Sequence, residues 1–290
     1  MKRKALLCHR DATPAVPTNF LSLRCRMKTC ELQQAGMDAT PDYESLYRFR
    51  AGSYVLYVVL QPHCISITDP VDYCFPPAIL KLLPPNIDPA YNLVHISSSG
   101  ESKFSTVKLK AVDTVWHSTV VDIFTLPIVR WIKASVVKVK YDGEYAIAKI
   151  ARFEFEIPYI EAETRSYRDL YGLGLGPKFL GHLSENGRPM GMLIEYFDGR
   201  RPTQDDFEAC SKALKRLHAL GWAHRDINRD NFVVVGSEAK LVDLEQAGPA
   251  SEEERLAELE KLYKELIDES GRGAPIDTED SVEGEYPMGI

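Results

Sequence analysis

His224-Arg225-Asp226-Ile227-Asn228-Arg229-Asp230-Asn231 is followed, twelve residues after Asn231, by Asp243-Leu244-Glu245. The stretch between reads as two short strands, Asn231 to Val235 and Lys240 to Leu244, on either side of Gly236-Ser237. A hairpin of that length folds the chain back, so the oxygen-bearing side chains of Asp226, Asn231 and Asp243 are expected to point into one cleft. The tripeptide His-Arg-Asp also occurs at His9-Arg10-Asp11, but there the position five after the aspartate is Val16 and no aspartate follows a hydrophobic strand. The spacing carries the information, and the tripeptide alone does not.

Upstream of this stretch, Thr203 opens a long helix with Asp206 in a capping box, and Phe207, Cys210, Leu214 and Leu217 form its apolar stripe to an end near Gly221. Before it come strands at Lys178 to Leu183 and Met190 to Tyr196, joined by Ser184-Glu-Asn-Gly-Arg. A helix is predicted from Tyr159 to Tyr171, in which Ile160, Glu163 and Tyr167 fall at i, i+3 and i+7, placing Glu163 on the apolar face and Glu161 elsewhere. Val136 to Tyr141 and Glu144 to Ile150 flank Asp142-Gly143, a strong hairpin signal, and Lys149 lies on the second of these strands. Residues 43–125 are rich in β-branched and aromatic runs (Tyr54 to Leu60, Ile65 to Thr68, Phe104 to Leu109, Thr119 to Phe124) interrupted by proline loops. Downstream, Ser251 caps a helix with Glu254 three residues later, running through Leu256, Leu259, Tyr263 and Leu266, and past Gly271 the chain is acidic and poor in apolar residues.

The 290 residues, 44% hydrophobic and 27% charged, have the balance of a globular protein rather than of collagen, a coil or a membrane bundle. The net charge of −7 is uneven: residues 1–40 carry seven Lys/Arg against three Asp/Glu, whereas residues 250–290 carry four against thirteen. Neither end reads as a nucleic-acid surface, and no apolar run approaches the roughly 20 residues of a membrane span. The six cysteines contain no C-x-x-C pair, which points to free thiols in a reducing compartment, and the basic start lacks the apolar core of a secretory signal. A cytoplasmic location is expected.

The pattern His224-Arg225-Asp226 with Asn231 and then Asp243 resembles the catalytic loop H-R-D-x-x-x-x-N and the metal-binding aspartate of the protein-kinase superfamily. That resemblance implies ATP and Mg²⁺ as cofactors and a hydroxyl-bearing acceptor as partner. Asp226 would take the acceptor's proton, Asn231 and Asp243 would supply oxygen ligands to Mg²⁺, and Lys149 would neutralise the phosphates while braced by Glu163. Glu195 and Phe197 would meet the adenine edge through their main chain, with Ile194 as gatekeeper and Val137 and Ile147 lining the base. Further stretches, Trp116-His-Ser-Thr, Ala151-Arg-Phe-Glu-Phe-Glu-Ile-Pro, Ile160-Glu-Ala-Glu-Thr, Gly176-Pro-Lys-Phe-Leu-Gly-His and Glu269-Ser-Gly-Arg-Gly, are similar to a family of small fungal kinase-like proteins related to aminoglycoside phosphotransferases and Rio-type kinases.

The expected fold is α+β: a two-lobed protein-kinase-like fold with a β-rich N-terminal extension and a truncated helical C-lobe. Residues 1–42 are expected as a disordered extension, 43–129 as a β-rich region packed on the small lobe, 130–197 as the small lobe, 198–270 as the minimal helical lobe, and 271–290 as a disordered acidic tail. There are departures from the kinase pattern. The turn Arg130-Trp-Ile-Lys-Ala-Ser has no glycine, leaving Lys133 or Ser135 as substitute phosphate contacts, and Asn228 stands where protein kinases usually place a lysine. These departures are why a pseudokinase, the same fold used as a binding module, is the alternative reading.

Overall fold

The computed structural model describes residues 31–36, 43–51, 54–64, 79, 81–84, 87–88, 90–268 and 270. The chain divides between Leu109 and Lys110 into two units.

The first unit holds a five-stranded sheet in sequential order: β1 (Glu31–Gly36), β2 (Ser45–Ala51), β3 (Tyr54–Leu60), β4 (Leu93–Ile96) and β5 (Ser102–Ser105). All pairings are antiparallel except β3 with β4. Tyr47 and Phe49 of β2 pack with Leu56, Val58 and Leu60 of β3 and with Val94 and Ile96 of β4 in a separate small core. The expected extension over residues 1–42 is corrected at 31–36. That polar segment is a strand because backbone pairing with β2 needs no apolar pattern at a sheet edge. The strand expected from Phe104 to Leu109 stops at Ser105, where the Asn92 side chain takes over Val107, donating to its carbonyl at 2.8 Å and accepting its N–H at 2.9 Å. The expectations for residues 1–30, 37–42, 65–68 and 271–290 lie outside the described residues.

The second unit opens with a six-stranded sheet. Its strands are β6 (Val120–Asp122), β7 (Ile128–Lys133), β8 (Val136–Tyr141), β9 (Glu144–Ile150), β10 (Phe179–Glu185) and β11 (Arg188–Glu195), in the order β6-β10-β11-β9-β8-β7. Residues 110–129 therefore group with the six-stranded sheet, which moves the expected boundary at 129/130 back to 109/110. The reason is β6, which pairs parallel to β10 and covers the edge that β10 would otherwise present to solvent. Asp142 and Gly143 both adopt positive φ, 55° and 86°, as the two-residue turn between β8 and β9 requires. Gly191 is needed for close approach, since a Cβ there would collide with the Lys149 carbonyl on the paired strand.

Helix α1 (Ile157–Asp169) crosses from β9 back to β10 and starts two residues earlier than predicted, because Pro158 suits the first helical turn. Beyond β11 come α2 (Phe207–His218), β12 (Trp222–Ala223), β13 (Phe232–Val235), β14 (Glu238–Leu241), β15 (Gly248–Pro249) and α3 (Glu252–Leu266), with β13 paired to β14 and β12 to β15. Both predicted capping boxes form, Thr203 with Asp206 and Ser251 with Glu254. Ile160 of α1, Met192 of β11, Leu214 and Leu217 of α2, Phe232 of β13 and Leu262 of α3 belong to one continuous apolar core. Among the described residues no helix is long and apolar enough to cross a membrane, and Cys64 and Cys210 are free thiols.

One buried group in this core makes stability depend on pH. His182 on β10 is fully buried, and its Nε2 accepts the backbone N–H of Trp116 at 3.0 Å and of His117 at 3.2 Å. Burial, helped by the charge of His117, pushes its pKa down to about 4. The unfolded chain binds a proton near pH 6.5 that the native state refuses, so stability is complete above that value and is lost as pH falls toward 4, by up to about 3 kcal/mol. Urea midpoints at pH 7.5 and 4.5 check this: the loss on acidification should shrink in His182→Gln, and an identical loss in both proteins would contradict it.

Candidate active site

Lys149 sits near the end of β9, and strand pairing decides what shares its face. Opposite residues on paired strands point the same way, so Val136 of β8 and Met192 of β11 share the Lys149 face, as do Ile147 and Ile194 one row further on. Val137 does not. It pairs with Ala148, which pairs with Leu193, on the opposite, packed face, where Val137 is 1% exposed. Val137, expected to line the base, therefore lies on the face away from Lys149, and Val136 stands on the Lys149 face instead, because one residue along a strand reverses the side.

The Lys149 ammonium bridges two carboxylates, 2.6 Å from Glu163 Oε2 and 2.8 Å from Asp243 Oδ1. Glu163 is 2% exposed, and its other oxygen accepts the Leu244 N–H at 3.2 Å, tying α1 to the chain just after Asp243. Burial alone would push Lys149 down, but Glu163 and Asp243 together hold its pKa above the usual lysine range. Lys149 in turn keeps Asp243 ionised, well below the usual carboxylate range. Burial raises Glu163 to about 7, against the pull of Lys149 and with Asp243 and Glu245 adding negative charge nearby. One cation shared by a buried and a half-buried carboxylate leaves the more enclosed one, Glu163, holding its proton more tightly.

Asp243 adopts a left-handed backbone, φ 62° and ψ 61°, which a non-glycine residue rarely does without outside support. The support comes from both sides: Lys149 holds its side chain, and the preceding Val242 donates its N–H to the Asn231 carbonyl at 3.0 Å and accepts from His224 Nε2 at 2.9 Å. The segment leading into Asp243 is thereby tied to the stretch at residues 224–231.

That stretch is braced from below by Glu258 of α3. Its Oε2 accepts the His224 N–H at 3.0 Å and meets His218 Nε2 at 2.8 Å, while Oε1 accepts the Arg225 N–H at 2.5 Å. Burial would raise the Glu258 pKa, but His218 and the two backbone donors outweigh it and lower it. Arg225 also has positive φ, 64°, and its guanidinium donates to the Pro249 carbonyl. Asn231 Nδ2 donates to the Asp226 carbonyl at 2.6 Å and lies 3.5 Å from Asp226 Oδ2. Asn228 caps the turn Arg229–Asn231 by accepting the Asp230 N–H at 2.9 Å, and the Asp230 carboxylate is gripped by Arg201 at 2.7 Å.

Asp226 and Asn231 are thus linked by hydrogen bonds to each other and to Val242, and Val242 leads directly into Asp243, which Lys149 joins to Glu163. Glu195 ends β11, with its N–H on the Lys178 carbonyl at 2.9 Å and its carboxylate accepting the Lys178 N–H at 3.0 Å. Phe197 lies half-buried just beyond it. Sequence reasoning missed Glu258, although Glu258, Leu262 and Leu266 fall at i, i+4 and i+8 and so share the inward face of α3. It also missed Lys138, whose ammonium lies 4.0 and 3.7 Å from the ring centres of Tyr145 and Tyr196. Among the described residues no cluster of three or more His, Cys, Asp or Glu could hold a metal alone. One carboxylate and one carboxamide suit Mg²⁺, which takes one or two protein oxygens and completes its shell with water and phosphate.

Residues 195–280 match the lipopolysaccharide kinase (Kdo/WaaP) family. No curated protein shows a significant match to the chain. The mixed α+β architecture is consistent with that match, which covers the C-terminal part of the chain and makes it similar there to kinases of that family.

Proposed function

We propose that the protein transfers the γ-phosphate of ATP, with Mg²⁺, to a hydroxyl of a small-molecule or protein acceptor. The observation that carries this reading is the pairing of Lys149 with both Glu163 and Asp243 across residues distant in sequence. A lone structural ion pair would need only one of those carboxylates. Lys149 binds the phosphates, Ile147, Ile194 and Val136 face the base, and the main chain at Glu195 and Phe197 meets its edge. Asn231 and Asp243 would hold Mg²⁺, which would supply positive charge against the phosphates. Asp226 takes the acceptor's proton as the new O–P bond forms and the bond to the departing ADP breaks. The match to lipopolysaccharide kinases favours a sugar hydroxyl as the acceptor to test first.

The pseudokinase reading is favoured by the glycine-free turn between β7 and β8 and by Asn228 in place of a lysine. Nucleotide binding separates the two. With ATP and Mg²⁺ at a hundred times the Kd, thermal unfolding should be delayed by the equivalent of about 2.7 kcal/mol. A melting temperature unmoved by ATP, with and without Mg²⁺, would sink the kinase reading.

A further inference from the structure

We propose that Lys133 is a phosphate-binding residue that grips the distal phosphates of ATP from above, in place of the backbone amides a glycine-rich turn would offer. This rests on the nucleotide site proposed above. The observation is a slip in strand register. Trp131 pairs with Val137, but Lys133 pairs with Val136, so the β7–β8 ladder shifts between Trp131 and Lys133. Strict alternation would put Lys133 on the packed face with Trp131. The bulge turns it over, because an extra residue in one strand re-aims the side chains that follow.

Lys133, Val136 and Lys149 then stand in one row across β7, β8 and β9, on the same face. Strands lie about 4.8 Å apart, so the two lysines start roughly 10 Å from each other, a span that two long side chains can close around a phosphate chain. Among the described residues Lys133 makes no ion pair, whereas Lys138, further along β8 on the same face, is held between Tyr145 and Tyr196. Lys133 is therefore the cation available for phosphate at this end of the cleft. It also supplies the positive charge that Asn228 does not.

Isothermal titration of the full chain with Mg²⁺-ATP, Mg²⁺-ADP and AMP tests this in the wild type, Lys133→Ala and Lys133→Arg. The expected result is about tenfold weaker ATP and ADP binding in Lys133→Ala, unchanged AMP binding, and recovery of most of the loss in Lys133→Arg. Lys133 is half-buried at the end of an edge strand, so unchanged melting without nucleotide is expected and confirms folding. ATP affinity equal in Lys133→Ala and wild type would overturn this proposal alone. A parallel loss of AMP binding would also overturn it, by showing a general distortion of the cleft. A wild type that binds no ATP would overturn the nucleotide site and this proposal with it.

Discussion

Asp226→Ala is expected to lower phosphate transfer by roughly 10²- to 10⁴-fold, the range that a positioned general base contributes, while leaving nucleotide affinity nearly intact. The structure separates these two effects. The Asp226 main-chain carbonyl, which the substitution keeps, accepts from Asn231 at 2.6 Å and from Asn228 at 3.2 Å. Its carboxylate makes only a 3.5 Å contact with Asn231, so removing it costs little structure. Lys149, Glu163 and Asp243 are held by one another and do not depend on that carboxylate. Transfer of labelled phosphate from ATP to acceptor or water provides the measurement. Turnover equal to wild type would remove Asp226 from the mechanism.

Lys149→Met is expected to cost both nucleotide binding and stability. The substitution leaves Glu163 and Asp243 close together in a largely dry site without their shared cation. Removing one partner of a buried ion pair typically costs on the order of 3–5 kcal/mol, and the lower end applies here because the Asp243 side chain retains about a third of its exposure. The sign with pH is fixed. In the wild type the lowered Asp243 pKa contributes stability above its ordinary value, while the raised Glu163 pKa, about 7, makes stability fall as pH rises toward 7. Without Lys149 both carboxylates are pushed up, the native state binds protons more readily than the unfolded chain, and the deficit shrinks as pH drops from about 7.5 to 5. Urea midpoints at those two pH values check it. A deficit independent of pH would show that the variant suffers from lost packing instead of stranded charge.

Much of this site was legible because its parts are local patterns. The hairpin around Asp142-Gly143 matches the predicted strand limits, Val136–Tyr141 and Glu144–Ile150, since a two-residue turn fixes register on both sides. Glu163 lies inward because helical periodicity forces it there. One position was lost to register. That Val136 and not Val137 stands on the Lys149 face, and that Lys133, named from sequence only beside Ser135, is turned onto that face, depend on which residue faces which across a strand pair, and no single strand records its own bulges. Glu258 was invisible as a brace because its partners, His218 and the backbone of His224 and Arg225, are brought to it only by packing of α3.

The hairpin from Val136 to Ile150, the order of helices and strands from Val136 to Leu266, and the helix placing Glu163 inward follow from sequence alone, because each rests on spacing within a few turns of chain. Tertiary structure alone decided that Lys149 serves two carboxylates at once, that Val120–Asp122 joins the six-stranded sheet, and that Asp243 is held in a left-handed backbone. Each of these is a meeting between segments far apart along the chain, and such meetings are set by the packing of the whole core rather than by local preference.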